Sequence, residues 1–381
     1  MSGEGEEMVK GKLELDAQAK TVEEIEVDGF DHIEFYVGNA LQASYYYNRG
    51  FGFDVIGYRG LETGDRETTS YVLGQNNIIL VLTSAQSPNH PVAEHVHQHG
   101  DGVKNIALKV RDARQAYETA IARGAKSYLE PTSVEDEDGV FVSAAVHTYG
   151  DTVHTFVERK NYNGAFAPGF KPKQKRSEGI GLLFADHVVG NVEVGRMEHW
   201  VEFYQRTFGF YVYQYFDAKD ISTQYSALVS KVMANKSGTI KLPLNEPAEG
   251  LRRSQIQEYL DYYLAPGVQH IAIATRDIIS TVSQLRERGI KFLMVPRSYY
   301  DALPERVGKI DEDIEELAKL GILVDRESEG YLLQIFTKPV EDRPTLFFEI
   351  IQRKGAKGFG KGNFKALFES IEREQAMRGN L

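Results

Sequence analysis

Three side chains able to bind a metal lie inside apolar runs. His187 follows Asp186 and precedes Val188, Val189; His270 lies in Gly267-Val268-Gln269-His270-Ile271-Ala272; Glu349 lies in Leu346-Phe347-Phe348-Glu349-Ile350-Ile351. A carboxylate is costly to bury unless it is paired or bound to a cation. Strand alternation puts Thr345, Phe347 and Glu349 on one face, and His270, Ala272 and Ala274 on another strand's face. Two imidazoles and one carboxylate from separate strands form the facial arrangement of non-haem Fe(II) oxygenases, with open positions for a bidentate substrate plus dioxygen. Zinc is the competing metal, but a zinc hydrolase needs only one open position.

The elements that must position these residues are repeated. Gly102-Val103-Lys104-Asn105-Ile106-Ala107 through Arg123-Gly124-Ala125-Lys126 aligns without gaps with Gly267-Val268-Gln269-His270-Ile271-Ala272 through Arg288-Gly289-Ile290-Lys291. Asp31-His32-Ile33 matches Asp186-His187-Val188, and Phe51-Gly52-Phe53 matches Phe208-Gly209-Phe210. Phe156-Val157-Glu158 resembles Phe347-Phe348-Glu349. The spacing between copies widens along the chain, which places insertions near 230–260 and around Asp301–Gly321, where Ile310, Ile314 and Leu317 have helical spacing. Each copy reads as strand, helix, then several strands. In the second copy the strands are Asp186–Val194, Gly267–Ala274, Tyr331–Thr337 and Thr345–Gln352, and the helices Met197–Phe208 and Asp277–Arg288, closed by Gly209 and Gly289. The first-copy counterparts of His187, His270 and Glu349 read as His32, Asn105 and Glu158. An amide has replaced an imidazole, so one metal site per chain is expected.

Two other motifs compete. His90, His95, His97 and His99 form a histidine tract, but Pro91 and Gly100-Asp101-Gly102 predict a loop, and metal binding there is not expected. Gly355-Ala356-Lys357-Gly358-Phe359-Gly360-Lys361-Gly362 is one residue short of a phosphate-binding loop, with Gly362 where Ser or Thr should hold magnesium. It reads better as a glycine hinge before a helix over 363–377, capped by Asn363 and with an apolar stripe of Phe364, Leu367, Phe368 and Ile371, able to act as a lid.

The chain has 381 residues, enough for two or three domains. Its 42% hydrophobic and 26% charged content excludes a disordered chain. A net charge of −11 disfavours nucleic acid, and the basic stretch Lys171–Arg176 reads as a solvated linker. The absence of cysteine excludes disulfides, thiolate metal sites and cysteine nucleophiles. No apolar run approaches a membrane span, and Met1–Glu7 lacks the features of a signal peptide, so no membrane partner and a cytoplasmic setting are expected. The expected division is a tail over 1–27, a non-catalytic domain over 28–160, a linker over 161–180 around the Gly/Pro/Lys-rich Asn163–Glu178, and a catalytic domain over 181–381.

From Gly29 onward the chain resembles the 4-hydroxyphenylpyruvate dioxygenases of the vicinal-oxygen-chelate superfamily. The resemblance rests on Leu242-Pro243-Leu244-Asn245-Glu246-Pro247, Arg253-Ser254-Gln255-Ile256-Gln257-Glu258-Tyr259-Leu260, the Gly267–Ala272 stretch, Leu333–Pro339, Phe348–Arg353 and Gly358–Phe368. It implies an α+β fold of duplicated, paired βαβββ modules forming two open barrel-like sheets, with the C-terminal helix over the active site. It implies Fe(II) on His187, His270 and Glu349, and conversion of 4-hydroxyphenylpyruvate and O2 to homogentisate and CO2, a step of tyrosine catabolism. By the same resemblance Phe336 and Phe364 flank the substrate ring, Phe347, Phe359 and Asn363 line the pocket, Ser226, Asn245 and Gln255 surround the phenol end, and Gln269 and Gln334 lie near metal and substrate. A homodimer or homotetramer is implied as well. The alternatives are a hydroxymandelate synthase, with the same substrate but benzylic hydroxylation, and a non-enzymatic binder of small aromatics from the same superfamily.

Overall fold

The computed structural model describes residues 22–218, 222–223 and 225–380, so most of the expected tail lies outside the described residues. The first half contributes strands β1 (Val27–Tyr36), β2 (Asp54–Arg59), β3 (Thr68–Gln75), β4 (Ile78–Ala85), β5 (Gly102–Val110), β6 (Ser127–Asp136), β7 (Gly139–His147) and β8 (Val153–Tyr162). A short edge strand, β9 (Lys171–Pro172), pairs with β2, so part of the basic stretch expected to be linker completes the first sheet. The second half contributes β10 (Leu182–Asn191), β11 (Tyr211–Phe216), β12 (Ala227–Ala234), β13 (Lys241–Ala248), β14 (Gly267–Thr275), β15 (Leu323–Glu327), β16 (Gly330–Phe336) and β17 (Phe347–Lys354).

Each half is two βαβββ modules set side by side. In every module the first strand lies parallel to the fourth, which requires a long crossover. Ile33 of β1 faces Leu80 of β4, Asn105 of β5 faces Val153 of β8, Gly190 of β10 faces Leu244 of β13, and Ala272 of β14 faces Glu349 of β17. The sheet orders are β6-β7-β8-β5-β1-β4-β3-β2-β9 and β11-β12-β13-β10-β14-β17-β16-β15. The duplicated α+β fold is therefore as the sequence implied. The stretch 230–260 holds no added element. It contains β12, β13 and the helix Gln255–Tyr263, the mate of the helix Pro91–His99 that precedes β5. Its extra residues lengthen connections, such as 235–240 between β12 and β13 where Asn76 and Asn77 alone join β3 to β4; the larger insertion is the set of short helices Arg297–Asp301, Leu303–Val307 and Ile314–Leu320.

The strand register corrects one pairing read from the sequence. Asn105 of β5 faces Val153 and Leu108 faces Phe156, while His270 of β14 faces Phe347 and Ala272 faces Glu349. The position matching Glu349 is therefore Thr155. Glu158 instead matches Gln352, and the two do the same job. Glu158 accepts a hydrogen bond from the Ala113 backbone N–H at 3.2 Å, and Gln352 Oε1 accepts from that of Ile278 at 2.9 Å, each at the start of its module's helix.

The histidine tract also differs from expectation. Pro91–His99 is a helix, with Pro91 in the first turn where a missing N–H costs nothing, and the His90 Nδ1 accepting from the Val92 N–H. Gly100 ends it. In the glycine-rich loop before the C-terminal helix, three amides serve carboxylates of the protein instead of a phosphate. Lys357 and Gly358 donate to the Glu327 carboxylate at 3.1 and 2.9 Å, and Gly362 donates to Asp325 at 2.8 Å.

The halves share one apolar core and exchange helices. The helix Ala40–Phe51 puts Phe51 on Phe348 of β17, ring centroids 4.9 Å apart. Reciprocally, Phe208, at the end of the turn that follows helix Met197–Phe203, lies 5.5 Å from His154 of β8, the position matching Phe348. Gly52 and Gly209 close these two helices in the left-handed region, both at φ 74°. Polar contacts follow the same exchange: Arg288 donates to the Arg49 carbonyl at 3.0 Å, and Arg206 to the Arg123 carbonyl at 3.0 Å. Phe348 is fully buried between the halves. Phe348→Ala is expected to cost about 3–5 kcal/mol of stability, read from the denaturant midpoint.

Candidate metal centre

The site is written into the pairing of three strands. His187 of β10 faces Ala272 of β14, and Ala272 faces Glu349 of β17, so the imidazole and carboxylate flank a small residue in one cross-strand row. Phe336 of β16 extends the row beyond Glu349. His270 precedes Ala272 by two residues and faces Phe347, which puts both on the same face. The Nε2 atoms of His187 and His270 lie 3.2 and 3.5 Å from Glu349 Oε2.

Both imidazoles are aimed by their other nitrogen. His187 Nδ1 donates to Asp186 at 2.8 Å, and His270 Nδ1 donates to Gln269 Oε1 at 3.0 Å. Arg353 in turn clamps Asp186 with two bonds of 2.8 Å. Both Nε2 lone pairs therefore converge on the carboxylate, the outer-shell arrangement that orients histidine ligands. The electrostatics agree. Burial raises the carboxyl affinity of Glu349 for its proton, yet the neighbouring imidazoles hold it down to about 2. Burial lowers the basicity of His270. At His187 burial acts in the same direction but is outweighed by Glu349 and Asp186. A buried carboxylate held ionised beside two imidazole Nε2 atoms fits a divalent cation.

The triad opens into a cavity. Its walls are mainly aromatic and aliphatic: Phe216, Phe336, Phe347, Phe359, Phe364 and Phe368, with Val189, Leu228, Val232 and Leu367. Asn245, Gln255, Gln269 and Ser230 are its uncharged polar groups. Phe347 stacks on His270 at 4.8 Å, and Phe359 meets His187 edge-on at 4.9 Å. The helix Phe364–Arg378 covers one side with Phe364, Leu367 and Phe368.

Three of the residues expected at the site stand outside this lining. Ser226 donates to Glu372 at 2.7 Å and so fastens the C-terminal helix. Gln334 is buried beside Gly360, its amide without a protein partner. Any side chain at Gly360, which has φ 74°, would run into that amide. Asn363 makes no side-chain cap on the helix it precedes. Its carbonyl accepts from the Tyr299 hydroxyl at 2.7 Å instead, which holds the hinge against the inserted helices. Sequence reasoning did not find Asp186 and Arg353, although both lie in stretches it quoted, nor Phe216, Ser230 and Leu228. The aromatic run Tyr211–Phe216 was the available signal for Phe216.

The first half preserves the outer shell and one of the three ligand positions, His32. His32 Nδ1 donates to Asp31 at 2.7 Å, and Arg159 clamps Asp31 at 2.7 and 2.8 Å. Phe166 meets His32 edge-on at 4.9 Å, as Phe359 meets His187. The other two ligand positions hold Asn105 and Thr155. Asp186→Asn is expected to lower metal affinity by about 10–100-fold, measured by competition with a chromophoric chelator. Asp31→Asn, the same change in the first half, is expected to leave that affinity unchanged.

Known proteins resemble the chain along its length. The family model "Glyoxalase/Bleomycin resistance protein/Dioxygenase superfamily" matches residues 185–303, and "Hydroxyphenylpyruvate dioxygenase, HPPD, N-terminal" matches residues 23–167. A 4-hydroxyphenylpyruvate dioxygenase of Dictyostelium discoideum is 50% identical over 367 residues, covering 93% of this chain and 100% of that protein. A protein of the same name from Danio rerio is 48% identical over 364 residues, covering 92% of each. Among solved structures, a variant of 4-hydroxymandelate synthase from Streptomyces coelicolor superposes with a TM-score of 0.82 at 34% identity, covering 92% of this chain and 99% of that one.

Proposed function

Because the chain belongs to the 4-hydroxyphenylpyruvate dioxygenase family of the vicinal-oxygen-chelate superfamily, we propose that it converts 4-hydroxyphenylpyruvate and O2 to homogentisate and CO2. The observation that carries this reading is the row His187–Ala272–Glu349–Phe336, which joins a metal-binding triad to an aromatic wall in one cavity. His187, His270 and Glu349 would hold Fe(II). The bound ion supplies coordination positions for the 2-oxo acid and for dioxygen, and the substrate carries its own 2-oxo acid, so no separate one is consumed.

The protein's own side chains supply orientation and seclusion. Flat faces of Phe336 and Phe364 suit an aromatic ring, while Asn245 and Gln255 are the amides available to a phenol hydroxyl. Phe347 and Phe359 back the two imidazoles and keep water from their sides. Gln255 opens the helix Gln255–Tyr263, whose N-cap Ser254 accepts from the Gln257 N–H, so that amide is carried on a fixed element. Gln269 acts through the His270 ring. Ser226 and Asn363 are assigned to holding the C-terminal helix over the cavity, and Gln334 to the floor beneath Gly360. The division into a non-catalytic first domain, residues 28–160, and a catalytic one, 181–381, belongs to the same proposal. So do the homodimeric or homotetrameric state and a cytoplasmic setting; among the described residues no helix is long and apolar enough to cross a membrane.

The second reading, benzylic hydroxylation to hydroxymandelate, is favoured by the structural likeness to the synthase. The identities of 50% and 48% to dioxygenases favour ring attack. Incubation of the Fe(II)-loaded protein with 4-hydroxyphenylpyruvate in air, followed by NMR, is expected to yield homogentisate; hydroxymandelate would transfer the assignment to the synthase reaction. Glu349→Ala is expected to lower turnover by more than about 100-fold, since loss of an outer-shell partner alone costs up to that much. Glu158→Ala is expected to leave turnover unchanged and cost about 1 kcal/mol of stability, as a lost helix cap does.

A further inference from the structure

We infer that the protein carries a second divalent-metal site, built from His95, His99 and Asp151 where the two halves meet, suited to a transition metal of the Zn(II) class. This site is independent of the reaction proposed above.

His95 and His99 are one turn apart on the helix Pro91–His99 and share a face. Asp151 comes from the turn between β7 and β8. One ligand atom from each of the three lies within 4.8 Å of the others, and among the described residues only one other cluster of this kind exists, the catalytic triad.

The hydrogen bonding of His99 calls for a cation. Its Nδ1 lies 2.5 Å from the Tyr263 carbonyl, which can only accept, so that nitrogen carries hydrogen. Its Nε2 lies 3.0 Å from Asp151 Oδ2, a second acceptor. Either a proton or a metal ion must stand between Nε2 and the carboxylate. His95 decides between them. It is 5% exposed, and neither ring nitrogen has a hydrogen-bond partner. A proton on His99 leaves that buried imidazole unsatisfied, at the full cost of its desolvation. A metal ion takes lone pairs from both rings and the carboxylate together.

The surroundings suit this ion. Neither His95 ring nitrogen is engaged by a protein group, so a lone pair is available to an ion. Lys104 is the cation nearby, and its ammonium donates to the Asp151 backbone carbonyl rather than to the carboxylate. The Asp151 side chain is 53% exposed, which provides an entry path and room for water ligands. Two imidazoles and a carboxylate with an open position form a zinc-type set. The Tyr263 carbonyl fixes the His99 tautomer as Asp186 fixes that of His187. Tyr263 also stacks on His99 at 4.5 Å and ends the helix that begins with Gln255. An ion here would therefore tie the first half to the helix bearing a cavity residue.

The test is metal stoichiometry on the full-length protein, stripped with chelator, reloaded with Zn(II) or Co(II) and dialysed. Wild type is expected to retain two equivalents, and His270→Ala one. His95→Gln and Asp151→Asn are each expected to retain one, with at least a tenfold weaker second site and loss of the second-site rise in unfolding temperature. Asp151 is half exposed, so Asp151→Asn keeps the test valid should His95→Gln fail to fold. A wild-type count of one that His270→Ala abolishes would overturn the inference. So would two equivalents retained by Asp151→Asn with undiminished affinity.

Discussion

A carboxylate ionised in the middle of an apolar strand is the constraint from which the rest of the site follows. Glu349 has Phe347 and Phe348 before it and Ile350 and Ile351 after it, and it is almost wholly buried. A bare charge in such a place is untenable. Two imidazoles must stand beside it, and each needs a fixed tautomer, which Asp186 and Gln269 provide. Asp186 is itself a buried charge and needs Arg353, which bridges back to the strand carrying Glu349. The chain of compensation closes on itself across β10 and β17. What it leaves in the centre is a place for a cation, with Ala272 too small to fill it.

Much of this was legible in the sequence because duplication displays it twice. The gapless match of Gly102–Lys126 with Gly267–Lys291 marks His270 as a departure from Asn105, and the resemblance completes the triad. The error at Glu158 shows the limit. Two residues of the motif recur three positions away, and likeness of letters cannot fix the register of a strand against a neighbour distant in the chain. Only the pairing shows that Glu158 and Gln352 both cap helices. Arg353 was hidden for a related reason, since its partner Asp186 is 167 residues away. The histidine tract was misread because Pro was weighed as a breaker when it occupies the first turn of a helix. Asn363 was misread because a good capping residue found a better partner in Tyr299, from an inserted segment whose position no local rule supplies.

The first half retains Asp31, His32, Arg159 and Phe166 in the geometry of their counterparts. That outer shell is held by packing and ion pairing and does not need a metal to persist. The residues that changed, Asn105 and Thr155, are those whose only reason to be an imidazole or a carboxylate is a ligand.

The exchanged helices carry a further consequence. Because Phe51 packs on the strand of Glu349, and Phe208 on β8, each half has part of its core supplied by the other. Two separate chains joined this way would come apart on dilution. Linked in one polypeptide, the same contact is an intramolecular closure whose strength is independent of protein concentration. It also frees the two faces from being identical. A symmetric pair must duplicate every change, whereas a fused pair lets one member keep the reaction while the other varies its loops and surfaces.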